Sequence, residues 1–184
     1  MGTIQNMGNT MTLDLGCGQI IRNPYNADLV YGIDLVGDKT KNVKAADLVT
    51  QPIPYKESTF DFVTAYDFLE HIPRLVYLKR KRIHPFIELM NEIYRVLKPG
   101  GIFLAHTPAY PMHEAFQDPT HVNIISENSI QYFAGNSVDI CRAYGFNGEF
   151  KLIRQEWSKD FTYWLIWEIQ KPAISIANFE DVLL

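Results

Sequence analysis

The stretch "HPFIELMNEIYRVLKPGGIFLAH" constrains the fold more than any other part of the chain. Phe86, Leu89, Met90, Ile93, Tyr94, Val96 and Leu97 recur at helical spacing and give the segment one apolar face. Pro85 suits the first helical turn, and Pro99, Gly100 and Gly101 stop the helix. A continuous apolar run, Ile102 to Ala105, follows at once, as in a strand buried on both faces. A helix that feeds such a strand directly is a crossover between parallel strands, and it should be right-handed.

The same alternation runs through the preceding residues. Short apolar runs at 12–15, 29–33, 43–46 and 60–66 join 102–106 as candidate strands. The pattern predicts an α/β protein: a Rossmann-like open sheet of about seven strands, mostly parallel, with helices on both faces. The last third differs. "GEFKLIRQEW" and "DFTYWLIWEI", separated by "SKD", predict an antiparallel C-terminal hairpin. Between these parts lies a loop rich in proline and histidine from residue 107, after which Ser126 and Ser129 predict a short helix start. A loop of that length in a compact domain is usually functional, and residues 107–135 are expected to form a lid or acceptor-binding segment. The 184 residues fit a single domain by length.

Ligands of open α/β sheets bind at the carboxyl ends of the strands. Those ends carry Asp14, Gly16 and Gly18, then Asp34, then Asp47, then Tyr66, Asp67, Glu70 and His71, and finally His106 and Thr107. The set holds acids and no lysine or arginine, which is wrong for gripping a pyrophosphate. The glycine loop agrees. In "LDLGCGQIIRNP" the third glycine of a dinucleotide fingerprint is replaced by Ile21. Pro24 also interrupts the helix that would aim its dipole at phosphate. A cationic nucleoside such as S-adenosylmethionine, which has a sulfonium and no phosphate, suits acidic walls by Coulomb attraction. Asp34 lies eighteen residues after Gly16, near the spacing of an acid that holds ribose hydroxyls. Asp47 can accept from an adenine amino group.

"LDLGCG", "GID", "FD…LEH" and "RVLKPGG" stand at 13–18, 32–34, 60–71 and 95–101. In that order they resemble the class I S-adenosylmethionine-dependent methyltransferases, in particular the small type-11-like members. The resemblance covers roughly residues 12–107, and "DPTHVN" at 118–123 is similar to lid segments of some members. It implies that Gly16 and Gly18 approach the methionine part of the cofactor, with Asp14 and Cys17 in the same loop. It implies that Asp34, with Leu35 beside it, holds the ribose and that Asp47 with Leu48 meets the adenine. Tyr66 and Asp67 would line the cofactor, and His71 would face the methyl site.

The reaction then expected is displacement at the sulfonium methyl by an oxygen or nitrogen of a small-molecule acceptor, sugar-like or phosphate-bearing. His71, His121 and His113 are the candidate catalytic residues, because imidazole can act as a base near neutral pH. Cys17 has no second cysteine or base nearby and reads as a small buried side chain. Two features are expected to leave the pocket more open: little of this sequence precedes the first strand, and the segment from Cys17 to Leu29 is short. A second subunit, in a homodimer or from another chain, is expected to cover the pocket if residues 107–123 do not. A non-catalytic accessory subunit with the same fold is the alternative.

Net charge is −4, so nucleic acid is not an expected partner. The one basic block, Lys79 to Arg82, reads as a solvated helix end or loop, with an acceptor phosphate as its functional alternative. No apolar run reaches eighteen residues, so no membrane span is expected. The first ten residues lack the features of a secretory signal, and a cytoplasmic protein with reduced thiols is expected. The two cysteines sit in no metal-ligand spacing, and no metal is expected.

Overall fold

The structure is a computed structural model that describes residues 8–160 and 163–173. One seven-stranded sheet organises it. The strands are β1 (Met11–Leu15), β2 (Leu29–Asp34), β3 (Val43–Ala45), β4 (Phe60–Tyr66), β7 (Leu97–Pro108), β8 (Lys151–Trp157) and β9 (Trp164–Gln170). A separate two-stranded hairpin pairs β5 (Val76–Leu78) with β6 (Lys81–Ile83). The helices are α1 (Pro85–Val96), α2 (Glu114–Gln117), α3 (Gln131–Ala134) and α4 (Val138–Arg142).

The sheet order is β3-β2-β1-β4-β7-β9-β8. The first five run parallel, β9 lies antiparallel to β7, and β8 antiparallel to β9. The chain moves outward from β1 to β3 and then returns to place β4 on the other side of β1. Strand order therefore reverses between β1 and β4, which opens a crevice at their carboxyl ends.

Strand alternation decides which side chains meet the helices. Leu13, Val63, Phe103 and Ile169 stand in register on one face, as do Leu15, Ala65, Ala105 and Trp167. All are fully buried against Phe86, Leu89, Met90 and Ile93 of α1 and against Phe133, Val138 and Cys141. Each of the Leu, Ile, Val, Phe and Met side chains among them contributes about 1.5–3 kcal/mol of burial. Phe133 joins the two helical regions through edge-on contacts with Phe86 and Phe146 at 5.3 and 5.2 Å. On the opposite face, residues 16–28 form turns rather than a helix. They are held by Tyr25, which stacks on Phe62 at 4.3 Å and donates to Glu168 at 2.8 Å.

Helix α1 begins at Pro85 as expected, but it ends at Val96 and β7 starts at Leu97. Pro99, Gly100 and Gly101 thus lie inside the strand. Leu97 pairs with Phe60 ahead of a bulge, and Gly100 supplies a positive φ of 83°. Of the basic block, Lys79 and Arg80 form an exposed loop, the tip of the β5–β6 hairpin, with φ of 46° and 67°, while Lys81 and Arg82 lie in β6. Positive φ at both central positions matches the right-handed twist of the flanking strands. The short helix start at Ser126 is present, its hydroxyl and that of Ser129 forming a capping box. Phe161 and Thr162 of the expected hairpin, and residues 1–7 of the expected leaderless start, lie outside the described residues. Among the described residues no helix is long and apolar enough to cross a membrane.

Candidate functional site

Asp14, one residue before the end of β1, has both carboxylate oxygens engaged. It accepts from the Thr64 hydroxyl at 2.7 Å and from the Arg22 backbone N–H at 2.8 Å. Burial pushes its carboxyl above the usual range, and these hydrogen bonds partly offset the shift. The effect is to tie the turn at 16–22 onto the sheet. Cys17 packs beneath that turn, and its N–H donates to the Ile33 carbonyl at 3.1 Å. Gly32 opposite leaves it room, since a Cβ there would lie 2.5 Å from Cys17 Sγ. The thiol is free, buried and pushed up to about 11, chiefly by burial, so it is no nucleophile.

Asp34 closes the loop from the second strand end. Its Oδ2 accepts from Gly18 N–H at 2.8 Å and its Oδ1 from Leu35 N–H at 2.7 Å. Gly16 and Gly18 both need left-handed backbone, at φ of 63° and 57°. A side chain on Gly16 would strike the Phe68 ring at 2.4 Å, whereas Gly18 faces open space. Asp47 caps its own turn, accepting from Val49 N–H and the Thr50 hydroxyl, both at 3.0 Å.

These elements enclose a cavity of about 350 Å³ at the carboxyl ends of the strands. Gly16, Asp34, Leu35, Asp47, Leu48, Asp67 and His71 line it, together with Phe68, Val49 and Ile72. Among the described residues its wall carries three carboxylates and no lysine or arginine. Asp67 has a left-handed φ of 49°, donates its N–H to the His106 carbonyl and accepts from Trp164 Nε1 at 2.7 Å. Burial raises its carboxyl pKa, against that hydrogen bond.

Tyr66 is not in this wall. Strand alternation turns it to the other face, where its ring meets His106 at 4.5 Å and carries the Arg22 guanidinium at 4.8 Å. His106 is held neutral there, its pKa lowered to about 4 by burial and then by Arg154 and Arg22. His113 is also absent from the wall: its side chain is 83% exposed and lies 3.4 Å from Glu114.

His121 does meet His71. The rings stand edge to face at 4.9 Å. The segment at 118–123 is clamped beneath the short helical turn Leu69–His71, with Val122 and Asn123 N–H both donating to the Glu70 carbonyl at 2.9 Å. Asn123 also donates to the Leu69 carbonyl, and Arg74 binds Asn123 Oδ1 and the Ile124 carbonyl. Thr120 fixes the His71 tautomer. Its hydroxyl donates to Asp118 at 2.6 Å, so the lone pair at 3.1 Å and the carbonyl at 3.2 Å both require a proton on His71 Nδ1. The His71 Nε2 lone pair is therefore the free one.

Behind the histidines stands Glu70, a residue that sequence reasoning placed at a strand end without giving it a role. It is 1% exposed, accepts from the Thr107 hydroxyl at 3.0 Å, and keeps Oε1 without a partner, 4.0 Å from His121 Nε2. Burial pushes its carboxyl up to about 7. Its adjacency to His71 in "LEH" was the available signal.

The comparisons with known proteins agree with this geometry. The family described as "Methyltransferase domain" matches residues 13–105, half of the chain. Sterol 4-C-methyltransferase strm-1 of Caenorhabditis elegans is 39% identical over 71 residues, which are 39% of this chain and 17% of that protein. The chain thus matches less than a fifth of the length of that curated relative. A SAM-dependent methyltransferase from Methanosarcina mazei superposes with a TM-score of 0.54 at 16% identity, over 90% of this chain and 94% of that one. Phosphoethanolamine N-methyltransferase 1 of Haemonchus contortus, solved with phosphoethanolamine and S-adenosylhomocysteine, gives 0.55 at 14% identity over 91% and 40%. At such identities the structural likeness speaks for the fold alone. The sheet order, the motif-bearing strand ends and the family match together place the chain in the class I S-adenosylmethionine-dependent methyltransferase family.

Proposed function

We propose that the chain moves a methyl group from S-adenosylmethionine to an oxygen or nitrogen of a small-molecule acceptor held beside His71. The observation that carries this reading is the cavity at the strand ends, walled by Asp34, Asp47 and Asp67 without a cation. Such walls fit a sulfonium and an ammonium group and disfavour phosphate. The glycine loop would approach the methionine part, with Asp14 and Cys17 supporting it from below. Asp34 and Leu35 would meet the ribose, and Asp47 and Leu48 the adenine.

When bound, the cofactor supplies an electrophilic methyl on a sulfonium, a good leaving group. The protein's own work is to hold the acceptor atom in line with that methyl, about 3 Å away, and to exclude water. Phe68 walls the cavity, and residues 107–135 form the acceptor-side cover of a single domain. A hydroxyl acceptor must lose a proton, and the Glu70–His71–His121 cluster, with its free Nε2 lone pair, is where that proton is labilised. A neutral amine needs no such help. The two free, buried cysteines support a reducing, cytoplasmic setting.

The test is transfer of label from methyl-tritiated S-adenosylmethionine to a panel of sugar-like alcohols and phosphate-bearing amines. Label in a new O–methyl bond that is lost in His71→Ala, or in a new N–methyl bond, is the expected result. Transfer only to carbon would overturn the acceptor class. S-adenosylhomocysteine binding with no transfer to any member would favour an accessory subunit, completed by a second chain.

A further inference from the structure

The methyltransferase reading leaves Glu70 with an unpaired buried oxygen. We propose that Glu70, His71 and His121 form a binding site for a divalent first-row transition ion, of which Zn²⁺ is the natural probe. One ligand atom from each residue lies within 4.8 Å of those of the other two. Donors on one zinc ion, at about 2.0–2.2 Å from it, sit roughly 3–3.5 Å apart. A modest inward closure of side chains therefore completes the set.

Three observations point to an ion rather than to packing. The Glu70 side chain is 1% exposed, and Oε1 faces His121 Nε2 at 4.0 Å without a hydrogen bond. A buried, unpaired carboxylate oxygen facing an imidazole calls for a proton or a cation. The outer partners of Glu70 and His71 are also those of ligating groups, whereas His121 Nδ1 is buried without one. Thr107 holds Glu70 Oε2, and Thr120, itself anchored on Asp118, fixes the proton of His71 on Nδ1 and leaves Nε2 as a donor. The donor chemistry is selective as well. Two imidazoles and one carboxylate suit Zn²⁺, Fe²⁺ or Co²⁺, whereas Mg²⁺ and Ca²⁺ prefer oxygen.

Three protein ligands leave coordination positions open, and of the three His71 lies in the cavity wall, beside which the methyl-transfer reading puts the acceptor. The use of the ion rests on the methyl-transfer reading: an ion there would lower the pKa of a hydroxyl acceptor, whose proton passes to water as its oxygen bonds the methyl carbon and the carbon–sulfur bond breaks. Occupied, the site makes both histidines ligands rather than bases. The separation of His71 and His121 by fifty positions explains why no motif spacing announces the site.

The full chain, stripped with a chelator and dialysed, is titrated calorimetrically with ZnCl₂, and Co²⁺ is added separately as a spectroscopic probe. One Zn²⁺ per chain and visible d–d absorption from Co²⁺ are expected. Glu70→Gln and His121→Ala should each weaken Zn²⁺ binding roughly tenfold or more, while His113→Ala leaves it unchanged. S-adenosylhomocysteine binding, measured on every variant, shows that each is folded. Absence of Zn²⁺ binding in a chain that binds S-adenosylhomocysteine would overturn the site. So would equal Zn²⁺ affinity in Glu70→Gln and His121→Ala, or a loss of binding in His113→Ala alone, which would mark adventitious surface binding. Zn²⁺ binding that depends on Glu70 in a chain that binds no S-adenosylhomocysteine would keep the site and sink the methyl-donor reading instead.

Discussion

Asp34 illustrates how one carboxylate serves fold and site together. It holds Gly18 N–H and Leu35 N–H and also lines the cavity. Asp34→Ala should weaken S-adenosylhomocysteine binding by about 1–3 kcal/mol, the usual loss for hydrogen bonds to a charged group. An unchanged dissociation constant would remove Asp34 from the site. His106 makes a separate prediction about acid. Its folded pKa is near 4, below the ordinary 6.5, so its contribution to stability is complete above 6.5 and fades as pH falls toward 4. At pH 5 this amounts to about 2 kcal/mol. His106→Phe should therefore show a smaller loss of urea stability between pH 8 and pH 5 than the wild type; equal losses would mean that His106 is charged in the fold. The acids at strand ends were legible because their positions follow from strand boundaries alone. Glu70 was not, since its surroundings come from Thr107 and from the segment around His121, far along the chain.

At the level of elements, the glycine loop is tight at one glycine and open at the other. An added Cβ at Gly16 would meet Phe68 at 2.4 Å, while at Gly18 only the left-handed backbone resists it. Gly18→Ala should cost about 1–2 kcal/mol. Gly16→Ala should cost more, and the excess should vanish in a Phe68→Ala background, as a double-mutant cycle in urea would read. Equal costs for the two glycines would show that Phe68 does not press on the loop. Periodicity announced β4 and α1 because apolar spacing is strong there. It misplaced the start of β7, where Leu97 leaves the helix to pair with Phe60, and it hid the β5–β6 hairpin. The Lys79–Arg80 tip takes positive φ without the glycine or asparagine that normally signals such a turn.

For the whole molecule, the reversal of strand order between β1 and β4 sets where chemistry can occur; the alternation of α and β runs was enough to foresee the open sheet, but not which two strands flank the reversal. The helical side is closed by α1, α3 and α4, but residues 16–28 cover the other side as turns pinned by Tyr25. The brevity of that segment and Pro24 made the missing helix readable in advance. The meeting of His71 with His121 was only half readable: both were candidates, yet nothing in their spacing brings them to 4.9 Å. The acid-walled cavity and the absence of a third loop glycine make one demand on the intact chain. It must prefer a sulfonium nucleoside or its product to a pyrophosphate-bearing cofactor. Calorimetric titration with S-adenosylhomocysteine and, in parallel, with a nicotinamide dinucleotide tests this most directly. The account predicts one S-adenosylhomocysteine per chain and no heat from the dinucleotide; binding of the dinucleotide with none of S-adenosylhomocysteine would contradict it.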